Sequence, residues 1–238
     1  VTNEKSQITN QTLPSWFNLV VLDLELHCHT RYSPDSLVKL PELIAHARKV
    51  GLHRLAITDH SEIEGALLAQ QMAPDLIIVG EEAMTDEGEL LCYFITELIP
   101  DGLTLEEAID RVHAQGGICG PSHPLDPRRY GIGMDNLLRF ATKFDFIETF
   151  NARTRDTTKN DEADYIAQRL EVARIACSDA HTLQEVGISR TRIREYTSPA
   201  DFAEALKDAE IIPNYSSLMV NLSSRVAKFA HGLGFDKK

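Results

Sequence analysis

Little in this sequence suits a membrane, secreted or nucleic-acid-coating protein. Its 238 residues hold four cysteines, Cys28, Cys92, Cys119 and Cys177, each in an apolar stretch and none in a Cys-x-x-Cys pair. That speaks against a disulfide framework and a zinc knuckle, and the expectation is reduced core thiols in a cytoplasmic protein. No apolar run approaches the roughly 18 uninterrupted residues of a membrane span. Leu19 to Leu26 is broken by Asp23 and Glu25 and follows no basic region, so no signal peptide is visible. Basic residues are outnumbered 24 to 36, and the net charge of −12 argues against a surface that coats nucleic acid. Aromatics make up 7% without basic–aromatic interleaving, so no single-strand track is expected. Neither G-x-G-x-x-G nor G-x-x-x-x-G-K-[ST] occurs to cradle a nucleotide. An acidic chain can still take an anionic substrate when bound divalent cations reverse the field inside a site.

What is present is a regular alternation of strand and helix signals from residue 19 onward. Strands are expected near 19–28, 54–59, 75–80, 90–96, 117–122, 145–150 and 173–178, with a short one near 210–213. Pro41 opens a helix that Gly51 closes. Ser61 with Glu64 and Thr104 with Glu107 read as capping boxes, the second helix stopping at Gly116-Gly117. Ser198-Pro199 starts another helix, and 216–231 reads as a last amphipathic one. Repeated βα units predict one α/β domain over 16–238 with a mostly parallel sheet, preceded by a loose polar arm over 1–15.

The apolar runs end in a recurring kind of residue. His27-Cys28-His29, Thr58-Asp59-His60, Gly80-Glu81-Glu82, Ser122-His123-Pro124 and Asp179-Ala180-His181 all stand where a strand is expected to stop. Side chains alternate faces along a strand, so His27 and His29 share one side, as do Asp179 and His181, with Cys28 and Ala180 turned away. Only a closed or nearly closed barrel brings so many strand ends to one point. His46, His53, His113 and His231 lie in helices or connections and are expected to be solvated or packed. The five strand-end histidines, with Asp35, Glu82 and Asp179, predict a centre for Zn, Mn or Fe, since imidazole and carboxylate suit those ions.

The ordered motifs His27-Cys28-His29-Thr30, Tyr32-Ser33-Pro34-Asp35, Thr58-Asp59-His60, Gly80-Glu81-Glu82, Ser122-His123-Pro124 and Ser178-Asp179-Ala180-His181 resemble the polymerase and histidinol phosphatase (PHP) family over residues 22–195. The resemblance implies a distorted (β/α)7 TIM-like barrel that holds two to three divalent metal ions and hydrolyses phosphate esters. Carried onto this chain, it implies that His27, His29, Glu82 and Asp179 hold a first ion. Glu82 would bridge to a second ion with His123, and Asp35, His60 and His181 would hold a third. Many relatives have histidine where Asp35 stands, and aspartate is an equally sound oxygen ligand. Many also have histidine where Glu89 falls; Glu89 is either a ligand of the second ion or a solvated turn residue after Gly88.

The expected chemistry is attack on phosphorus by a metal-activated hydroxide, with no general acid singled out. Arginines near the strand ends are candidates to bind a small phosphorylated substrate: Arg153, two residues past the run 146–150, and Arg128, next to Arg129 in the loop after His123. Asn151 could face substrate or cap its loop, and Asp59 is expected to support the ligands from the outer face. Arg190 and Arg192 are expected at the surface. Two rival readings share these residues: metal-dependent hydrolysis of another bond, amidohydrolase-like, and a non-catalytic metal-binding regulatory module.

Overall fold

Short apolar runs become strands, and capped amphipathic segments become helices, in a computed structural model that describes residues 20–217. The arm expected over 1–15 and nearly all of the helix expected over 216–231 lie outside those residues. In chain order the elements are β1 (Val21–Glu25), α1 (Leu40–Lys49), β2 (Arg54–Ile57), α2 (Glu64–Met72), β3 (Ile77–Met84), β4 (Glu89–Tyr93), α3 (Leu105–Ala114), β5 (Ile118–Pro121), α4 (Gly133–Phe140), β6 (Phe146–Asn151), α5 (Thr158–Leu170), β7 (Ala173–Cys177), β8 (Arg190–Arg194), α6 (Pro199–Leu206) and β9 (Glu210–Ile212). Thr104 and Glu107 form a full capping box on α3, and Ser198 caps α6 by accepting from Asp201 N. The box expected at Ser61 does not form. Ser61 takes a positive φ and bonds Asp101, while Glu62 Oε1 accepts from Ile63 N and Glu64 N at the start of α2.

The sheet is a strongly curled half-barrel of order β5-β4-β3-β2-β1-β8-β9, flanked by the β6–β7 pair. With that pair it makes the distorted barrel expected from the sequence, open rather than fully closed. Strands β1, β2 and β3 run parallel, as do β6 and β7, but β4 is antiparallel to both β3 and β5, and β8 to both β1 and β9. The expectation of a mostly parallel sheet therefore fails at two places. Only four residues join β3 to β4, too few for a crossover, so the chain turns back as a hairpin. Strand β8 was not expected at all. Its Arg-Thr-Arg-Ile-Arg alternation hides a strand whose Thr191 and Ile193 are buried while Arg190 and Arg192 pair with Asp23. The surface placement of those arginines holds in part, since both are partly buried.

Two core layers follow from strand alternation. Leu55, Ile57, Ile77, Val79, Leu90, Cys92 and Cys119 pack outward beneath α1, α2 and α3. Leu24, Ala56, Ile78, Leu91, Tyr93, Ile118, Phe146 and Ile175 fill the barrel interior with α6 beneath. There Tyr93 stacks on Phe146 and its hydroxyl donates to Leu26 O at 2.6 Å, which satisfies a polar group that burial would otherwise leave costly. Gly120 is required on this inner face: a Cβ would lie 2.1 Å from Phe146 O, so only glycine lets β5 approach β6. Closure at the upper end comes from a parallel bridge between Cys28 and Ala180, past the ends of β1 and β7. No helix among the described residues is long and apolar enough to cross a membrane.

Candidate metal centre

Going up the barrel interior, the same inward positions change from apolar to ligand-type. Two or four residues beyond Ile78, Phe146 and Ile175 stand Glu82, Glu148 and Asp179; four beyond Ile118 stands Ser122, and His123 follows it out of the strand alternation with φ 28°. Strand β4 runs the other way, so its first residue, Glu89, reaches the same end. Every strand-end ligand named from the sequence meets there. His27, His29, Glu82 and Asp179 are almost wholly buried, as are Asp35, Glu89, His123 and His181; His60 is the most open at 27%.

Glu82 sits at the middle. Its Oε1 is 3.2 Å from His123 Nε2 and accepts from Ser122 Oγ at 2.6 Å. Its Oε2 is 3.3 Å from His27 Nε2, 3.4 Å from His29 Nε2 and 3.0 Å from His60 Nδ1. The two oxygens thus face two different groups, as a bridging carboxylate does. Asp179 Oδ1 lies 3.6 Å from His27 Nε2 and 3.3 Å from His29 Nε2. Asp35 Oδ2 lies 3.5 Å from His60 Nε2 and 3.3 Å from His181 Nε2. Glu89 is 3.3 Å from His123 and 3.7 Å from His60, so it is no solvated turn residue. His29 and His60 each belong to two ligand groups, His29 also with Asp35 and His181, His60 also with Glu82 and Glu89.

The outer partners fix which ring nitrogen faces inward. His27 Nδ1 is 3.0 Å from Glu148 Oε1; both Glu148 oxygens accept, from Asn151 Nδ2 and His123 N, so Nδ1 carries the proton. Ser33 Oγ donates its one hydrogen to Asp59 Oδ1 at 2.9 Å and must accept from His29 Nδ1 at 3.1 Å. The two Nε2 atoms therefore face each other across 3.0 Å, with Glu82 and Asp179 oxygens beside them. Four such atoms converging on a buried point suit a cation: the proton that the carboxylates hold on His27, or a metal ion that displaces it. The donor set fits the divalent ions the sequence implies.

The electrostatics show which rings the carboxylates keep protonated, and so where a bound ion would displace a proton. Burial would strip the His27 ring of charge, but Glu82, Asp179 and Glu148 hold its proton well above the usual imidazole value. Burial, then the neighbouring His181 and His60, press His29 down to about 3. Burial likewise opposes charge on His60, but Glu82 and Asp35 keep it up at about 11. Burial and then the Glu82 carboxylate raise Glu89 to about 7. Asp35 stays ionised well below the carboxylate range against burial, held by His181 and His60. Backbone turns aim two of the ligands: His123 at φ 28° and Asp179 at φ 53° occupy the left-handed region, a strain that concentrates at functional sites.

The structure also separates the candidate arginines. Arg153, its side chain 9% exposed, lies 2.5 Å from His181 Nδ1 and 3.3 Å from Glu185 Oε1, at the rim of the Asp35 group. Arg128 is exposed, and it is Arg129 that turns in to pair with Asp179 Oδ2, bonding Asn151 Oδ1 at 3.1 Å and Thr154 Oγ1 at 3.0 Å as well. Asn151 Nδ2 spans Glu148 and Asp179. Asp59 accepts from Thr30 N and Oγ1, each at 2.6 Å, and braces the loop that carries Asp35. Glu148 was missed in the sequence, although a carboxylate inside Phe146-Ile147-Glu148-Thr149-Phe150 is the signal for it. So was Glu25, which takes backbone N–H groups of His27, Ser178 and Gly187 and is pushed up to about 7 by burial.

The PHP domain profile matches residues 25–209, which include every one of these ligands. The chain belongs to the PHP domain family. An uncharacterised protein of Methanocaldococcus jannaschii is 32% identical over 213 residues, covering 84% of this chain and 86% of that one. Among solved structures, a two-domain protein from Bacteroides vulgatus containing a predicted PHP-like metal-dependent phosphoesterase superposes with a TM-score of 0.67 at 16% identity. That match covers 95% of this chain and 75% of the other. A candidate metal-dependent phosphoesterase from Bifidobacterium adolescentis matches at TM-score 0.56 and 18% identity, over 67% of this chain and 87% of its own. At such identities these structures share the PHP fold; the buried His, Asp and Glu groups are this chain's own.

Proposed function

We propose that this PHP protein hydrolyses phosphate esters of small soluble metabolites or nucleotides, using two to three divalent ions of the Zn, Mn or Fe class. The observation that carries the reading is the facing pair of His27 and His29 Nε2 atoms, each ring anchored through Nδ1 by its outer partner and flanked by Glu82 and Asp179. His27, His29, Glu82 and Asp179 would hold one ion, Glu82, Glu89 and His123 a second, and Asp35, His60 and His181 a third. Divalent ions so held would supply an activated water near neutral pH and charge stabilisation for phosphoryl oxygens. The protein's own work is positioning. Glu148 and Ser33 fix the imidazole tautomers, and Arg129 with Asn151 ties down Asp179 Oδ2 so that only Oδ1 faces the histidines. Arg153 presents its guanidinium beside His181, where a phosphate oxygen would meet a planar fork of donors.

A groove of about 450 Å³ lies between the β3–β4 turn and Tyr130-Gly131, lined in part by Met84, which pairs in register with Glu89. The acidic Asp86 and Glu87 along it disfavour extended nucleic acid. The test is a screen of phosphomonoesters, phosphodiesters and amides with the protein reloaded separately with Mn, Zn and Fe. Turnover confined to phosphate esters supports the reading; turnover of amides alone, or of nothing under any metal, overturns it.

A further inference from the structure

Apart from the strand-end cluster, one other group of ligand-type side chains converges among the described residues: His113, Cys119 and Asp145. His113 stands in the last turn of α3, Cys119 in β5 and Asp145 in the turn just before β6. His113 Nε2 is 2.9 Å from Asp145 Oδ2 and 3.9 Å from Cys119 Sγ, and all three ligand atoms lie within 4.8 Å of one another. The reaction proposed above uses none of them. Cys119 points away from the barrel interior, into the layer beneath the helices.

We infer that His113, Cys119 and Asp145 bind one zinc-type divalent cation through thiolate, imidazole and carboxylate, with water in the fourth position. Sulfur, nitrogen and oxygen donors together suit zinc better than the hard, all-oxygen ions. The His113–Asp145 and His113–Cys119 separations, 2.9 and 3.9 Å, lie within about 0.5 Å of the ligand–ligand distances of a tetrahedral zinc. Charge balances: binding releases the Cys119 thiol proton, and the thiolate and the Asp145 carboxylate together neutralise the ion. The surroundings favour a cation, since Asp145, Asp110 and Glu106 face a single Lys143, which bonds the last two at 3.3 and 2.7 Å. Cys119 is fully buried, while the His113 side chain is 39% exposed and opens a path for the ion and its water.

The location gives the ion a use. Asp145 N donates to Cys119 O where the edge of the seven-stranded sheet meets the β6–β7 pair, and Cys119 N donates back to Asp145 Oδ2. An ion there would staple α3, β5 and β6 across the seam that closes the barrel.

Cobalt titration of the chelator-stripped full chain tests this independently of any turnover. The strand-end ligands include no sulfur, so only the proposed site yields a sulfur-to-cobalt charge-transfer band in the near ultraviolet. The expected result is such a band at one cobalt per chain, displaced by zinc, absent in Cys119→Ser and unchanged in His29→Ala. In His113→Ala the cobalt affinity read from the band falls at least about tenfold. No band in the folded wild type, or a band that survives Cys119→Ser, overturns the inference. Should Cys119→Ser fail to fold, His113→Ala decides: His113 is partly exposed at a helix end, and an unchanged band there is equally contrary.

Discussion

At the scale of single residues, the centre depends on groups that never touch a metal. Glu148 is the clearest, because it alone assigns the His27 tautomer. Glu148→Gln should keep the fold yet lower metal affinity by about tenfold to a hundredfold, the usual cost of losing a carboxylate behind a ligating histidine. Competition with a calibrated chelator, beside an unchanged circular dichroism spectrum, measures it; wild-type affinity would remove Glu148 from the account. The two inward arginines separate in a similar way. Arg129 grips Asp179, so Arg129→Ala should shed metal. Arg153→Ala should retain metal but lose about tenfold to a hundredfold in kcat/KM, the value of a charge-assisted contact of ~1.5–3 kcal/mol. Lysine at 153 should rescue only partly, keeping the charge but not the fork. Equal metal loss in both variants would erase the distinction. None of this pairing was legible in the sequence, where Arg128 and Arg129 look alike; the loop's backbone decides which one turns inward.

At the scale of elements, ligands far apart in sequence act as units because strand ends are neighbours. The Cys28–Ala180 bridge holds His29 and Asp179 side by side. His29→Ala and Asp179→Ala should each abolish most activity, and the double variant should be little worse than either, since one shared ion is lost in all three. A double variant whose loss is the sum of two modest effects would place the residues on different ions. The seam between β5 and β6 is similarly exacting. Gly120→Ala would drive a Cβ to 2.1 Å from Phe146 O and should cost ~1–3 kcal/mol or more in a denaturant melt, whereas Gly116→Ala, with open space around it, strains only its positive φ. The strand-end histidines announced themselves because polar ligands interrupt apolar runs with period two. Strand β8 did not, since alternating arginines read as surface until Asp23 is seen to pair with them. The reversed β4 was equally hidden, and with it the reason that Glu89, at a strand's start, joins residues at other strands' ends.

At the scale of the whole molecule, one end of a curled barrel concentrates five histidines with Asp35, Glu82, Glu89 and Asp179, backed by buried Glu25, Asp59, Glu148 and Glu185. The sequence order of the motifs disclosed the family and the barrel. Tertiary closure alone disclosed how the three groups share His29 and His60, because sharing depends on distances between strands that no spacing along the chain encodes. Removing the ions should cost activity far more than fold, as the apolar layer of Leu24, Ile78, Tyr93, Phe146 and Ile175 persists beneath them. The most direct test of the account is elemental analysis of the purified protein, paired with phosphate-ester turnover before and after chelation. The account predicts two to three divalent ions at the strand ends, a further zinc-type ion only if the Cys119 site is filled, and turnover that falls on chelation and returns with added metal. Trace metal together with chelator-insensitive turnover would contradict it.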